Sequence, residues 1–369
     1  MNRPLIRIIL EGFNRSGGVR VVCDVANGLA RNQMQVEIVV PHYAATPAFP
    51  LHANVRVVAI RPTSTARSPK LDYFQWLCQR SAATGDLIVA TSYRTPWVIV
   101  ASRAWMKRRV PVLYMVQHDE VLSQVQHSSA PAWMKAILRP IAAGSYRLKT
   151  HHVAVSQWIA DRVAQPGARV IPNGVDPTVF FAGPDRTRED NAPFVVGGIA
   201  RPSGAKGWQE LVQAMLGLRE QHGQGVRFHL ASPSDTLPAL PCSLIDTVFL
   251  RPRNDADMRA FYLDLDAFLF TSPVEGYGLP PLEAMACGIP VVITECGGIS
   301  EYANSDNATL VPVGDIAAMV RGVSAFVSDP KLCADRTTSG LRTAAEFTLE
   351  KQTDAWVEVV QSLLMAGHR

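Results

Sequence analysis

Glu275-Gly276-Tyr277-Gly278-Leu279-Pro280-Pro281-Leu282-Glu283-Ala284-Met285-Ala286-Cys287-Gly288-Ile289-Pro290 sets two glutamates eight residues apart around a glycine turn. The apolar Leu282–Cys287 reads as a helix that follows the turn. Without Cβ atoms in the way, the turn lets backbone N–H groups approach an anion. Those of Tyr277, Gly278 and Leu279, with Gly276 ahead of them, suit a phosphate. Glu283 lies in the first turns of the helix and can reach ligand hydroxyls, while Glu275 sits in the turn. Paired carboxylates also serve as acid and base in hydrolases. Here the pair stands against an anion-binding turn, which suits a ligand carrying both phosphate and sugar hydroxyls.

Around this stretch, strands alternate with helices. Ala267–Thr271 and Pro290–Thr294 flank it as strands. Upstream, the strand Phe194–Ala200 runs into Arg201-Pro202-Ser203-Gly204-Ala205-Lys206-Gly207-Trp208 and a helix over Trp208–Glu220. Arg201 offers a planar fork and Lys206 a compact point charge, both suited to phosphate at a helix start. Val226–Ala231 and Thr247–Leu250 complete this cycle of strands. An earlier cycle has strands at Leu5–Leu10, Val36–Val40, Val55–Ile60, Leu87–Ala90, Val112–Gln117 and His152–Val155. Its helices include Val19–Arg31 and Trp97–Arg108. Such alternation specifies parallel sheets covered by helices. The turn-rich Pro172–Pro193 joins the cycles, and Glu346–Met365 is a long helical pattern at the end.

Two segments of the first cycle carry candidate chemistry. Gly17 and Gly18, in the loop Phe13–Gly18, stand between a strand and a helix. They match neither a dinucleotide fingerprint nor a P-loop, and two glycines also make a plain turn. Tyr114-Met115-Val116-Gln117-His118-Asp119-Glu120 places His118 just past an apolar strand, where α/β active sites open.

The 369 residues suggest two domains, and 47% hydrophobic with 18% charged residues excludes a largely disordered chain. No apolar run is long enough to span a bilayer. The opening Met1–Gly18 reads as a first strand, not as a signal peptide. Six cysteines without a C-x-x-C pair are expected to be reduced thiols. The net charge of +4 is divided into +13 over residues 1–172 and −9 over residues 173–369. A basic first half suits a phosphorylated substrate, an anionic membrane surface or nucleic acid, but no nucleic-acid-binding signature is present. Asp264-Leu265-Asp266 matches an Asp-x-Asp metal motif as a string, yet Asp266 leads straight into an apolar strand. His151 and His152 lack a third ligand at suitable spacing. No metal site is expected.

With Arg201, Lys206, Pro172-Asn173-Gly174-Val175-Asp176 and Gly297-Gly298-Ile299-Ser300-Glu301, the Glu275–Pro290 stretch resembles retaining nucleotide-sugar glycosyltransferases of family 4. The resemblance covers most of the chain and is most specific over residues 172–301. It implies the GT-B fold, two Rossmann-like domains facing across a cleft. Residues 1–172 would bind the acceptor, residues 173–345 the nucleotide sugar, and the helix 346–369 would pack back on the first domain. It also implies that Glu283 holds the ribose hydroxyls and Glu275 contacts the transferred sugar. Arg201 and Lys206 would clamp the diphosphate, Gly17 and Gly18 would form the first loop's glycine pair, and His118 would be the active-site histidine. The donor would be a nucleoside-diphosphate sugar, with no cofactor and no metal. The stretch around His118 also resembles some rhamnosyltransferases of the family. The expected acceptor is a glycan or lipid-linked hydroxyl, in a cytoplasmic enzyme at the inner face of the plasma membrane. Ser300 departs from the family pattern, which has proline there. A nucleotide-sugar epimerase of the same fold and a degenerate nucleotide-sugar-binding module are the alternatives. Transfer needs an acceptor and epimerisation does not, so a product assay separates them.

Overall fold

A computed structural model describes residues 3–61, 85–102, 110–122, 131–163, 167–184, 192–201, 206–232 and 239–367. The tail of the Trp97–Arg108 stretch, Pro202–Ala205 and Cys78 lie outside the described residues. The chain divides into two compact units, Met1–Pro172 with Glu350–Arg369, and Asn173–Leu349.

The first unit runs β1 (Leu5–Ile9), α1 (Gly17–Arg31), β2 (Gln35–Pro41), β3 (Val55–Ile60), β4 (Leu87–Ala90), α2 (Arg94–Ser102), β5 (Val112–Val116), α3 (Ala132–Ser145), β6 (His151–Ala154), α4 (Gln157–Val163) and β7 (Arg169–Val170). Its described strands form one parallel sheet in the order β3-β2-β1-β4-β5-β6-β7. Every residue of β4 and β5 is buried. This is the pattern of strands covered on both faces, and it explains their unbroken apolar runs. Helix α1 begins at Gly17, two residues before the apolar pattern starts. Ser16 caps it, its hydroxyl accepting the Val19 N–H at 3.3 Å, so one orphan donor of the first turn is satisfied. Val22, Val25, Ala26 and Leu29 are buried on the sheet side, each larger side chain contributing about 1.5–3 kcal/mol.

The second unit runs β8 (Phe194–Ile199), α5 (Trp208–His222), β9 (Val226–Ala231), β10 (Val248–Leu250), α6 (Asp255–Leu263), β11 (Ala267–Phe270), α7 (Leu279–Ala286), β12 (Val291–Thr294), β13 (Thr309–Val311), α8 (Ile316–Ser328) and α9 (Pro330–Glu346). Its sheet is also parallel, ordered β10-β9-β8-β11-β12-β13. Val196, Leu269 and Val292 of the sheet pack with Met215 and Leu218 of α5 and Val323 and Phe326 of α8. Both units thus repeat the doubly wound strand order of Rossmann-like domains.

The terminal pattern read over Glu346–Met365 is a single helix, and a further helix that the sequence reading does not include precedes it. Helix α9 ends at Glu346, and α10 (Leu349–Gly367) follows after Phe347 and Thr348. The break has a backbone cause. Val175 donates its N–H to the Phe347 carbonyl at 2.9 Å and accepts from Leu349 at 2.8 Å, which pulls this short stretch into an extended pair. Helix α10 is counted with the first unit from Glu350 onwards. A Cβ at Gly28 of α1 would lie 2.7 Å from Thr353 of α10, so the absence of a side chain lets these helices meet. Among the described residues, no helix is long and apolar enough to cross a membrane.

His152 of β6 lies opposite Tyr114 of β5, their ring centroids 5.5 Å apart. Burial lowers its pKa from 6.5 to about 4, with the charge of His151 adding to the effect. The unfolded chain therefore binds a proton that the folded chain refuses between these values, and stability falls as pH drops through that window. The full effect is about 3 kcal/mol. We expect His152→Asn to flatten the pH dependence of urea unfolding between pH 6.5 and 4. Unchanged slopes would show that another group governs it.

Candidate active site

In each unit the order of strands reverses at one place, between β1 and β4 in the first and between β8 and β11 in the second. Ligands of open parallel sheets bind beyond the carboxyl ends of the strands at such a point. Arg201 and Lys206 follow β8, whereas Glu275 and the turn into α7 follow β11. The fold brings these two sequence-distant segments together at the switch point of the second unit.

Lys206 Nζ lies 2.8 Å from Glu275 Oε1, with the two side chains 31% and 14% exposed. Sequence spacing does not reveal that these two candidates pair with each other. Gly207, next to Lys206, has φ +70 and begins α5. A Cβ there would fall 1.9 Å from the Thr271 carbonyl oxygen. The Thr271 hydroxyl donates to the Gly207 carbonyl at 2.8 Å, which ties the lysine segment to the end of β11. Arg201 is partly exposed just past β8.

Helix α7 begins at Leu279, with Gly278 as its N-cap at φ +82 and prolines at the first helical positions. The sequence reading starts this helix at Leu282. Proline lacks only an N–H that the first turn leaves unbonded anyway, so Pro280 and Pro281 extend the helix backwards. The N–H groups at this helix start are the ones the sequence reading assigns to a phosphate. The Gly278 carbonyl accepts the Tyr302 hydroxyl. Glu283, on α7, is 3% exposed, and its Oε2 accepts the Tyr262 hydroxyl from α6 at 2.8 Å. Tyr262 and Tyr302 are supporting residues that the sequence reading misses: each lies beside a motif, but spacing does not show that its hydroxyl reaches Glu283 or Gly278.

The Gly297–Glu301 segment is a short 3-10 helix. Gly298 donates its N–H to the Glu275 carbonyl at 2.9 Å, fixing the backbone of the catalytic candidate. Ser300, in place of the expected proline, donates its hydroxyl to the Gly297 carbonyl at 3.2 Å and closes the turn itself. Asp264 and Asp266 do not converge. The Asp266 carboxylate accepts the Val195 N–H at 2.8 Å, while Asp264 lies 2.6 Å from His229 Nδ1.

In the first unit, Gly17 and Gly18 are the opening residues of α1, not a loop before it. Gly18 packs beside Gln117, whose Oε1 would be 3.3 Å from an added Cβ. The glycine pair therefore lies next to the β5 end that carries His118. His118 Nε2 lies 3.4 Å from Glu120 Oε2, and Asp119 pairs with Arg162 at 2.6 Å.

The model described as Glycosyl transferases group 1 matches residues 193–329, and that described as Glycosyltransferase Family 4 matches residues 15–179. The lipopolysaccharide core biosynthesis mannosyltransferase LpsB of Rhizobium meliloti is 30% identical over 260 residues, spanning 66% of this chain and 71% of that protein. The chain belongs to the family 4 glycosyltransferases. Two solved structures share the glycosyltransferase's GT-B fold. Sucrose-phosphate synthase from Thermosynechococcus elongatus matches with TM-score 0.80 and 18% identity over 99% of this chain and all (100%) of that one. HepE of Anabaena, in complex with UDP-glucose, matches with TM-score 0.72 and 19% identity over 98% and 100%. The protein is thus an enzyme that transfers a sugar from a nucleotide sugar to an acceptor.

Gly297 has φ +57, and a Cβ there would fall 2.1 Å from the Glu275 carbonyl oxygen. Gly314 has a similar φ of +79 but nothing within 4 Å. In urea titrations Gly297→Ala should cost at least about 2 kcal/mol more than Gly314→Ala, because only the first adds a backbone clash to the strain. Equal losses would mean that the Gly297 turn yields without cost.

Proposed function

We propose that the enzyme is a retaining hexosyltransferase that moves mannose or rhamnose from a nucleoside diphosphate to a hydroxyl of a glycan or lipid-linked acceptor. On this reading the second unit binds the donor and the first unit the acceptor. The observation that carries it is the Lys206–Glu275 pair beside the start of α7, a cation and a carboxylate at one switch point. Departure of the nucleoside diphosphate builds negative charge on its phosphates. Arg201, Lys206 and the N–H groups around Gly278 would stabilise that charge, which puts the electrostatic work on protein groups. Glu275, held by Gly298, would contact the transferred sugar, and Glu283 the ribose hydroxyls. Lys206 pairs with Glu275, so a phosphate binding there would share or take over that cation. Retention follows if the acceptor attacks on the face the phosphate leaves and that phosphate removes the acceptor proton. LpsB, a lipopolysaccharide core biosynthesis mannosyltransferase, and HepE, seen in complex with UDP-glucose, support a sugar-nucleotide donor and a cell-surface glycan acceptor.

The test is a screen of nucleotide sugars with acceptor, in chelator, followed by mass and anomeric NMR analysis of the product. The expected result is acceptor-dependent transfer with the donor's anomeric configuration kept. Inverted product would overturn retention. Activity that vanishes on chelation and returns with manganese would overturn the assignment of charge stabilisation to Arg201 and Lys206. Lys206→Ala should lower turnover at saturating donor by about a hundredfold, and near-normal turnover would remove Lys206 from this role.

We also assign the enzyme to the inner face of the plasma membrane, touching lipid peripherally. Trp133, Ile137 and Ile141 of α3 are 64%, 54% and 39% exposed, one helical face at spacings of four. Exposed Arg139 lies on the same helix, and Arg147 follows it, in a half of the chain carrying +13. Apolar anchors flanked by cations suit an anionic lipid surface, each nearby cation adding about 1 kcal/mol. Flotation with anionic vesicles at physiological salt should carry the enzyme up, and Trp133→Glu/Ile137→Glu should abolish it. Equal absence from anionic and neutral vesicles would reject membrane contact.

A further inference from the structure

Beside His118 lies a buried carboxylate that the proposed reaction leaves without a task. The Glu120 side chain is 6% exposed. Its Oε1 accepts the backbone N–H of Tyr93 at 3.2 Å, from the segment that leaves β4. Its own N–H donates to the Tyr146 hydroxyl at 2.8 Å, which anchors the backbone just beyond β5. Its Oε2 faces His118 Nε2 at 3.4 Å. Arg162, the nearby guanidinium, goes to Asp119 instead. A buried carboxylate needs donors. Here one donor is a backbone N–H that cannot turn, and the other is an imidazole nitrogen whose proton depends on tautomer.

We propose that Glu120 is the positioning residue of His118, holding Nε2–H toward Oε2 so that Nδ1 becomes the ring's acceptor for a sugar hydroxyl. The inference rests on the reading of His118 as a substrate-contacting residue. A neutral imidazole has one donor and one acceptor, so fixing the first fixes the second. At 3.4 Å the contact is long for a hydrogen bond, and contacts of this kind tighten when substrate arrives. The two residues lie two apart in sequence, but their alignment depends on Tyr93, just past β4, and Tyr146, at the end of α3.

Glu120→Gln tests this with little change in volume. Glutamine offers one acceptor and one donor group. The Tyr93 N–H claims the acceptor, the NH2 turns to His118, and Nε2 must then accept. Nitrogen-15 NMR of histidine-labelled enzyme, at a pH of about 8.5 where an ordinary imidazole is neutral, reads the tautomer directly. His118 is assigned by its loss in His118→Gln. The expected result is Nε2–H in the wild type and Nδ1–H in Glu120→Gln. In transfer assays Glu120→Gln should lower kcat about tenfold with little change in donor KM. In the His118→Gln background it should change kcat less than about twofold. Nδ1–H in the wild type overturns the proposal even if the variant does not fold. So does an unchanged tautomer, or an equal loss of kcat in both backgrounds. The tautomer is read without turnover. An enzyme inactive on every nucleotide sugar would therefore overturn the reaction proposed above and leave the NMR result to decide the role of Glu120.

Discussion

Parallel pairing of β1 with β4, and of β8 with β11, is the constraint on which the rest of the structure depends. All strands of a sheet point the same way, so every loop that leaves a carboxyl end emerges on one edge. At the pair where the winding reverses, the connections diverge to opposite faces and leave a crevice. Lys206 and Glu275 are 69 residues apart in the chain yet 2.8 Å apart in space for this reason. Their segments leave two adjacent strands. Gly207 then has to pass within contact of the Thr271 carbonyl, which no side chain would permit.

At the switch point of the second unit a cation and a carboxylate neutralise one another. Lys206 and Glu275 are each partly buried and offset one another, so neither has to carry an unpaired desolvated charge. Glu283 is more deeply buried and relies on the Tyr262 hydroxyl among its donors. The two glutamates of one motif therefore differ in environment, one paired with a lysine and the other buried and accepting a tyrosine hydroxyl.

Much of this was legible in the sequence where a feature is local. The strands Leu87–Ala90, Val55–Ile60 and Val226–Ala231 are found at the positions their apolar runs indicate. The candidate residues of the second cycle come together because strand–turn–helix order alone places Arg201, Lys206 and Glu275 at one edge. Helix ends were less legible. At Gly17 and at Leu279 the helix begins earlier than the apolar pattern, because capping by Ser16 and proline tolerance act before any apolar face exists. Helix α9 is absent from the sequence reading, and Thr337, Thr338, Ser339 and Gly340 give its middle low helix propensity. Gly340 instead lets the helix close on Met285, where a Cβ would be 3.2 Å away. The supports of the site were not legible at all. Tyr262, Tyr302 and Tyr146 reach Glu283, Gly278 and Glu120 across 21, 24 and 26 residues, and no spacing rule links them.

The chain passes from the first unit to the second at Pro172–Asn173 and returns at Leu349–Glu350. Val175 is bonded to Phe347 and Leu349, so outgoing and returning backbone form one short ribbon. Gly174 packs so tightly there that a Cβ would fall 2.2 Å from the Thr348 carbonyl. In topological terms the second unit is an insert with both junctions at a single seam. Exchanging it for the corresponding part of another enzyme requires two cuts, one on each side of that seam. A one-cut fusion after Pro172 would take α10 along with the discarded half and strip its partner from Gly28 of α1.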